Sequence, residues 1–337
     1  MTKKYDWIDC LKGFGAVLVI FGHLNPFFPI ERYIYSFHMP LFFFISGLLK
    51  KKNNNDSFRS FIGKKAKTLL IPLAVWDLIS ALALFILGFD KKELLNGALF
   101  INETLPMNTP IWFLLTLFLC EVLYQILYSL KVPDIVIACT TAVIGPLLCE
   151  QTSLPFTLYL VPITMFFYVF GIILSPVLLK DKLHKADFCS LPVLLILSII
   201  FGAILNDRIS MANGYYNNVV FFMIGAVSGV LLWVQIFRIL PVNRLLKKVS
   251  EQTLFLMCWQ YMLFFLGSMV SKKMFSYDIW YHESTLKALI VTTAVIVISF
   301  AVIWVIDKIR RIIPPITQLA SYFGIRLKPS ENNKYCK

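Results

Sequence analysis

Apolar residues run along this chain in blocks of roughly twenty, each closed by a short polar stretch, and this pattern predicts helices that cross a lipid bilayer. Ten blocks can be traced, over residues 8–24, 33–49, 68–87, 110–130, 133–148, 154–174, 191–205, 219–236, 253–269 and 287–306. The expected fold class is therefore all-α, a polytopic membrane bundle of about ten transmembrane helices. Asp6, Asp9 and Lys12 interrupt the first block, and no small-residue cleavage site follows it, so the block reads as a retained span rather than a secretion signal.

Composition agrees with the pattern. Of 337 residues, 58% are hydrophobic and 15% charged, and mean hydropathy is +0.74. A soluble domain needs more polar surface than that. The net charge of +13 raises the question of nucleic acid, but its distribution answers it. With the N-terminus inside, the inner segments hold 24 of the 32 basic residues and the outer loops seven, with Lys12 inside a span. This is the positive-inside asymmetry, and it puts both termini in the cytoplasm. The expected partner is the lipid bilayer of a cell membrane, not nucleic acid.

Two units are expected: a membrane-embedded domain over 1–310 and a short basic cytoplasmic tail over 311–337. The basic loop at 50–67 contains a segment able to lie at the interface with Phe58, Phe61 and Ile62 on its apolar side. The seven cysteines show neither CxxC nor metal-ligand spacing, so no metal is expected.

Ionisable residues inside spans are costly to bury and mark candidate chemistry. They are Asp9, Lys12, His23, His38, Asp77 and Glu121. In DWIDCLKGFGAVLVIFGHLNP, the eleven-residue step from Lys12 to His23 is about three helical turns, so both share one face about 16 Å apart. Asp9 is placed to pair with Lys12, and Gly13, Gly15 and Gly22 leave room for a close neighbour. Taken alone, Lys12 reads as snorkelling inward and His23 as an interfacial residue. A second histidine shifts the balance: His38, in YIYSFHMPLFFFISGLL, enters from the outside on the adjoining helix, beside a kink expected at Pro40. Paired imidazoles there suit proton transfer.

Spacing names no partner for Asp77 or Glu121; either could neutralise Lys12 or a loop cation. Trp112 reads as part of an interfacial aromatic belt, and His184 and His282 as solvated loop residues. GxSxG, P-loop, HExxH and GxGxxG signatures are absent.

The stretches WIDCLKGFGAVLVIFGH, FHMPLFFFISGLL, KKAKTLLIPL and TPIWFLLTLF resemble acyltransferase family 3, in its fucose 4-O-acetylase-like branch of bacterial sugar O-acetyltransferases. The resemblance is dense over residues 7–119 and loose thereafter. It implies transfer of an acetyl group from cytoplasmic acetyl-CoA to a hydroxyl of a cell-surface polysaccharide or its lipid-linked precursor. The family's basic-x10-His motif falls on Lys12 and His23, and its FHMP histidine on His38.

On that reading His23 is a general base or transient acyl carrier, His38 assists it, and Asp9 positions Lys12. Lys12, Lys64, Lys65 and Lys67 are candidates for holding the nucleotide end of the donor. Gln260 stands where family members often carry a further histidine. The competing expectation is an exporter or flippase for a glycan or lipid-linked sugar, without acyl transfer.

Overall fold

The computed structural model describes residues 5–51, 57–101, 104–148, 154–180, 188–276 and 284–327. His184 and His282 lie outside them. The regular structure of the described residues is helical throughout, broken only by an isolated bridge between Ser210 and Tyr215.

Each apolar block forms a helix. They are α1 (Asp6–Gly22), α2 (Phe28–Leu48), α3 (Phe58–Ile86), α5 (Thr109–Ser129), α6 (Asp134–Leu148), α7 (Leu158–Leu178), α8 (Leu191–Ile204), α9 (Val219–Ile239), α11 (Thr253–Phe275) and α12 (Thr285–Ile309). Among the described residues, three short helices stand between or after them: α4 (Lys91–Ala98), α10 (Arg244–Glu251) and α13 (Ile316–Tyr322). Six are long and apolar enough to cross a membrane, namely α3, α5, α7, α9, α11 and α12. Of the other four, α1 carries three charges in 17 residues, α2 spends part of its length on Glu31, Arg32 and His38, and α6 and α8 are apolar but short. The protein is thus a multi-pass helical membrane protein.

Local chemistry sets the helix ends. Asn218 and Asn243 each accept two backbone N–H bonds at the starts of α9 and α10, as N-caps do. In α3 the expected interfacial segment is the first turns of a long continuous helix, with Phe61 buried and Phe58 exposed. The backbone widens to π geometry over Ala66–Leu70 just before Pro72. Proline has no N–H to give to the preceding turn, and a wider turn accommodates its ring.

The centre of the bundle is α1, which packs against α2, α9, α10, α11 and α12. A Cβ on Gly13 would overlap the carbonyl of Leu246 in α10, so only glycine lets these two helices meet as they do. The helix α2 is gripped from its other side by α7, where Gly171 lies against the Phe44 carbonyl with no room for a side chain. Trp112 is 4% exposed and packs against Phe43 and Phe113. It belongs to the core rather than to an interfacial belt, because the turn at Thr109–Ile111 tucks the start of α5 inward against α11.

Candidate active site

His23 caps the C-terminal end of α1, and five residues later α2 begins. That start at Phe28 comes earlier than the apolar pattern indicates, so a whole turn of α2 precedes Tyr33. The short link brings Tyr35 of α2 to His23, with the hydroxyl 2.9 Å from Nδ1. Tyr261 of α11 reaches the same nitrogen from a distant part of the chain, at 3.0 Å, and both rings meet the imidazole edge-on. With Nδ1 taken by two phenols, Nε2 is the atom of His23 left for chemistry.

His38, 3% exposed, adjoins this centre through Tyr35, whose ring lies 5.1 Å from its own in an edge contact. Tyr35 therefore touches both imidazoles. His38 Nδ1 is 2.7 Å from the Ile34 carbonyl. A carbonyl oxygen only accepts, so Nδ1 carries the proton and Nε2 of the neutral ring carries the lone pair.

A third element closes over the pair. The loop between α8 and α9 sends Arg208 across the Tyr35 ring, 5.3 Å from its centroid, and onto Glu31 at 3.0 Å. Asp207 beside it pairs with Arg32 at 2.8 Å. The loop is held by buried Asn206, which donates to the Tyr216 carbonyl and accepts from the Asn217 side chain and the Asn218 N–H. Tyr159 donates to the Ala212 carbonyl at 2.6 Å, and Ile209 and Met211 are buried beneath. These contacts fix the position from which Arg208 acts.

Lys12 lies on the same helix as His23, about 16 Å away along the axis. Asp9, one turn before it, acts on it electrostatically, and Asp6 pairs with Lys247 of α10 at 2.7 Å. The α3 lysines divide. Lys65 pairs with Glu121 at 2.6 Å, which gives that intramembrane acid a loop cation as its partner, whereas Lys64 and Lys67 have exposed side chains. Asp77 and Gln260 each hold a buried side-chain oxygen that accepts no hydrogen bond from the described residues. No group of His, Cys, Asp and Glu able to hold a metal is found among the described residues.

Tyr35, Tyr261, Arg208 and Glu31 are site residues that the pattern of the sequence leaves unmarked. Tyrosine is common near membrane interfaces, and Arg208 sits in a loop whose polarity looks ordinary. Only Tyr35 carries a local signal, standing three residues before His38 and so on its face of the helix.

A polytopic helical membrane protein with a histidine pair embedded among tyrosines is the class that fold and site define. The chain belongs to acyltransferase family 3: the acyltransferase domain family matches residues 5–308. Among curated proteins it is similar to "Nodulation protein NolL" of Sinorhizobium fredii, 29% identical over 177 residues, covering 48% of this chain and 45% of that protein. The protein of the same name from Mesorhizobium japonicum is 30% identical over 175 residues, 48% and 44% of the two chains. The match thus spans under half the length of these relatives. No solved structure matches the chain.

Proposed function

We propose that this protein is an O-acetyltransferase of a bacterial cell membrane, crossing the bilayer ten times with both termini in the cytoplasm. It moves an acetyl group from cytoplasmic acetyl-CoA to a hydroxyl of a cell-surface polysaccharide or its lipid-linked precursor. Family membership supports the acyl-transfer class. The observation that carries the site is His23 Nδ1 between the hydroxyls of Tyr35 and Tyr261; with the Nδ1 proton donated to the phenolic oxygens, the lone pair of the neutral ring stands on Nε2.

On this reading Nε2 of His23 takes the proton of the acceptor hydroxyl as its oxygen attacks the thioester carbonyl. The C–S bond then breaks, and the thiolate recovers a proton from the imidazolium. The alternative in which Nε2 carries the acetyl group transiently uses the same atom. His38, with its lone pair on Nε2, serves as a second proton acceptor. Arg208 holds Glu31 and Tyr35 in place above the pair. Lys12, Lys64, Lys65 and Lys67 supply cations for the donor's phosphates at the opposite end of α1, with Lys65 also paired to Glu121.

The test is mass analysis of surface glycans from cells carrying the wild type, His23→Ala, or no protein. Loss of acetylation with glycan amount unchanged is expected in His23→Ala, a fall of about 10²- to 10⁴-fold in transfer. Glycan that falls in amount with its acetylation intact overturns the enzyme reading in favour of export.

A further inference from the structure

Residues 316–327 lie beyond the family match and fold back against the bundle. The short helix α13 packs on α3 and α12, Trp76 Nε1 donates to the Phe323 carbonyl at 3.2 Å, and Ile325 is buried. Gln252, at the start of α11, closes the fold-back from both sides. Its Nε2 donates to the Arg326 carbonyl at 2.7 Å, and its Oε1 accepts the Arg326 N–H at 3.1 Å. Both bonds are made to backbone, so they fix where residue 326 stands and leave its guanidinium exposed.

Gln252 directly follows α10, whose Leu246 backbone abuts Gly13 next to Lys12, so residue 326 is held on the Lys12 side of the bundle, within electrostatic range of that lysine. Among the described residues neither cation stands in a salt bridge, although nearby Lys247 is paired with Asp6 and Lys65 with Glu121. The two like charges repel, Asp9 on α1 offsets part of that repulsion at Lys12, and a multiply charged anion lying between the cations is attracted to both. The location suits such an anion. From Gln252 to Tyr261 is nine residues of one helix, about 13 Å, and from Lys12 to His23 about 16 Å. Two separate helices thus measure a similar distance from the cation pair to the imidazole.

We propose that Arg326, positioned by Gln252, forms with Lys12 a binding site for the phosphate groups of the acyl-CoA donor. The proposal rests on the acetyl-CoA reading above and adds to it a residue outside the matched domain. Arginine suits the task, because its planar fork meets phosphate oxygens in pairs.

The experiment measures binding of radiolabelled acetyl-CoA to the full-length protein in lipid nanodiscs. Alongside the wild type are Lys12→Ala, Arg326→Ala, Arg326→Glu, Arg326→Lys and Gln252→Ala. Arg326→Ala is expected to bind about tenfold more weakly, Arg326→Glu more weakly still, and Arg326→Lys to recover most of the loss. Gln252→Ala is expected to lose affinity with Arg326 itself intact. S-acetylpantetheine, which lacks the nucleotide phosphates, should compete equally well in the wild type and Arg326→Ala. A wild type that fails to bind acetyl-CoA overturns the donor reading and this site together. Binding that is lost in Lys12→Ala yet unchanged in Arg326→Ala and Arg326→Glu overturns this site alone. Equal weakening toward acetyl-CoA and S-acetylpantetheine in Arg326→Ala also overturns it, because the residue then acts through the fold.

Discussion

Two hydroxyls on one imidazole nitrogen share a single task, and that sharing has measurable form. A neutral hydrogen bond contributes about 1 kcal/mol net, so Tyr35→Phe or Tyr261→Phe should each slow transfer only about fivefold. The double variant should lose more than the product of the two, because either phenol alone still orients His23. Steady-state rates of the three variants, with folding checked by thermal unfolding, decide it; strict multiplicativity would mean the hydroxyls act independently. Lys50, just past the end of α2, offers a second handle. Burial lowers its pKa to about 8, with Glu121 opposing the shift and Lys65 adding to it. The unfolded chain binds this proton up to about pH 10.4, so between those values the unfolded state holds more protons and stability contributed by this group rises with pH. The stability advantage of Lys50→Met at pH 7 should therefore shrink toward pH 10, and trace acetylation of the wild type should find Lys50 half-reactive near pH 8.

Among the helices, the tightest constraint on the site lies one layer behind it. α2 carries Glu31, Tyr35 and His38, and α7 holds α2 in place through Gly171 against the Phe44 carbonyl. Gly171→Leu has no space to enter and should push the helices apart at a cost of about 1–3 kcal/mol, read as a lower unfolding temperature. Because the displaced helix bears two of the residues around His23, transfer should fall as well, although no chemical group of the site has been changed. Full activity in a folded Gly171→Leu protein would show that the α2–α7 contact does not set the site's geometry. The element scale also shows where sequence reading stopped short. Hydropathy located the apolar blocks because burial in lipid imposes it on each segment separately. Hydropathy does not register the π turn before Pro72, a backbone effect of the proline, nor the inward tuck of Trp112 or the loop that carries Arg208, which are decided by neighbours remote in sequence.

For the whole molecule, the proposed orientation divides the charged residues into two ends that can be probed. In a background with all seven native cysteines replaced by serine, Lys272→Cys should react with a membrane-impermeant maleimide on intact cells. Lys247→Cys should react only after the membrane is opened. Labelling of residue 247 on intact cells would invert the topology and, with it, the side from which the donor enters. The two histidines were legible in the sequence because charge inside an apolar run is conspicuous. Their tyrosine partners were not, because the bundle recruits Tyr261 across 238 positions and no local pattern encodes a contact of that range.

The central place of α1 also bears on how the protein is made. Its bonds to Lys247 and Tyr261 close over 241 and 238 positions, so α1 completes its contacts only after the helices far downstream have been made. At roughly 5–20 residues per second, Lys12 and His23 wait on the order of ten seconds to a minute while the rest is translated. During biogenesis the polar face of α1 must be sheltered by the insertion machinery or by α2, and a chain truncated before α10 would present that face to lipid as a mark of incompleteness.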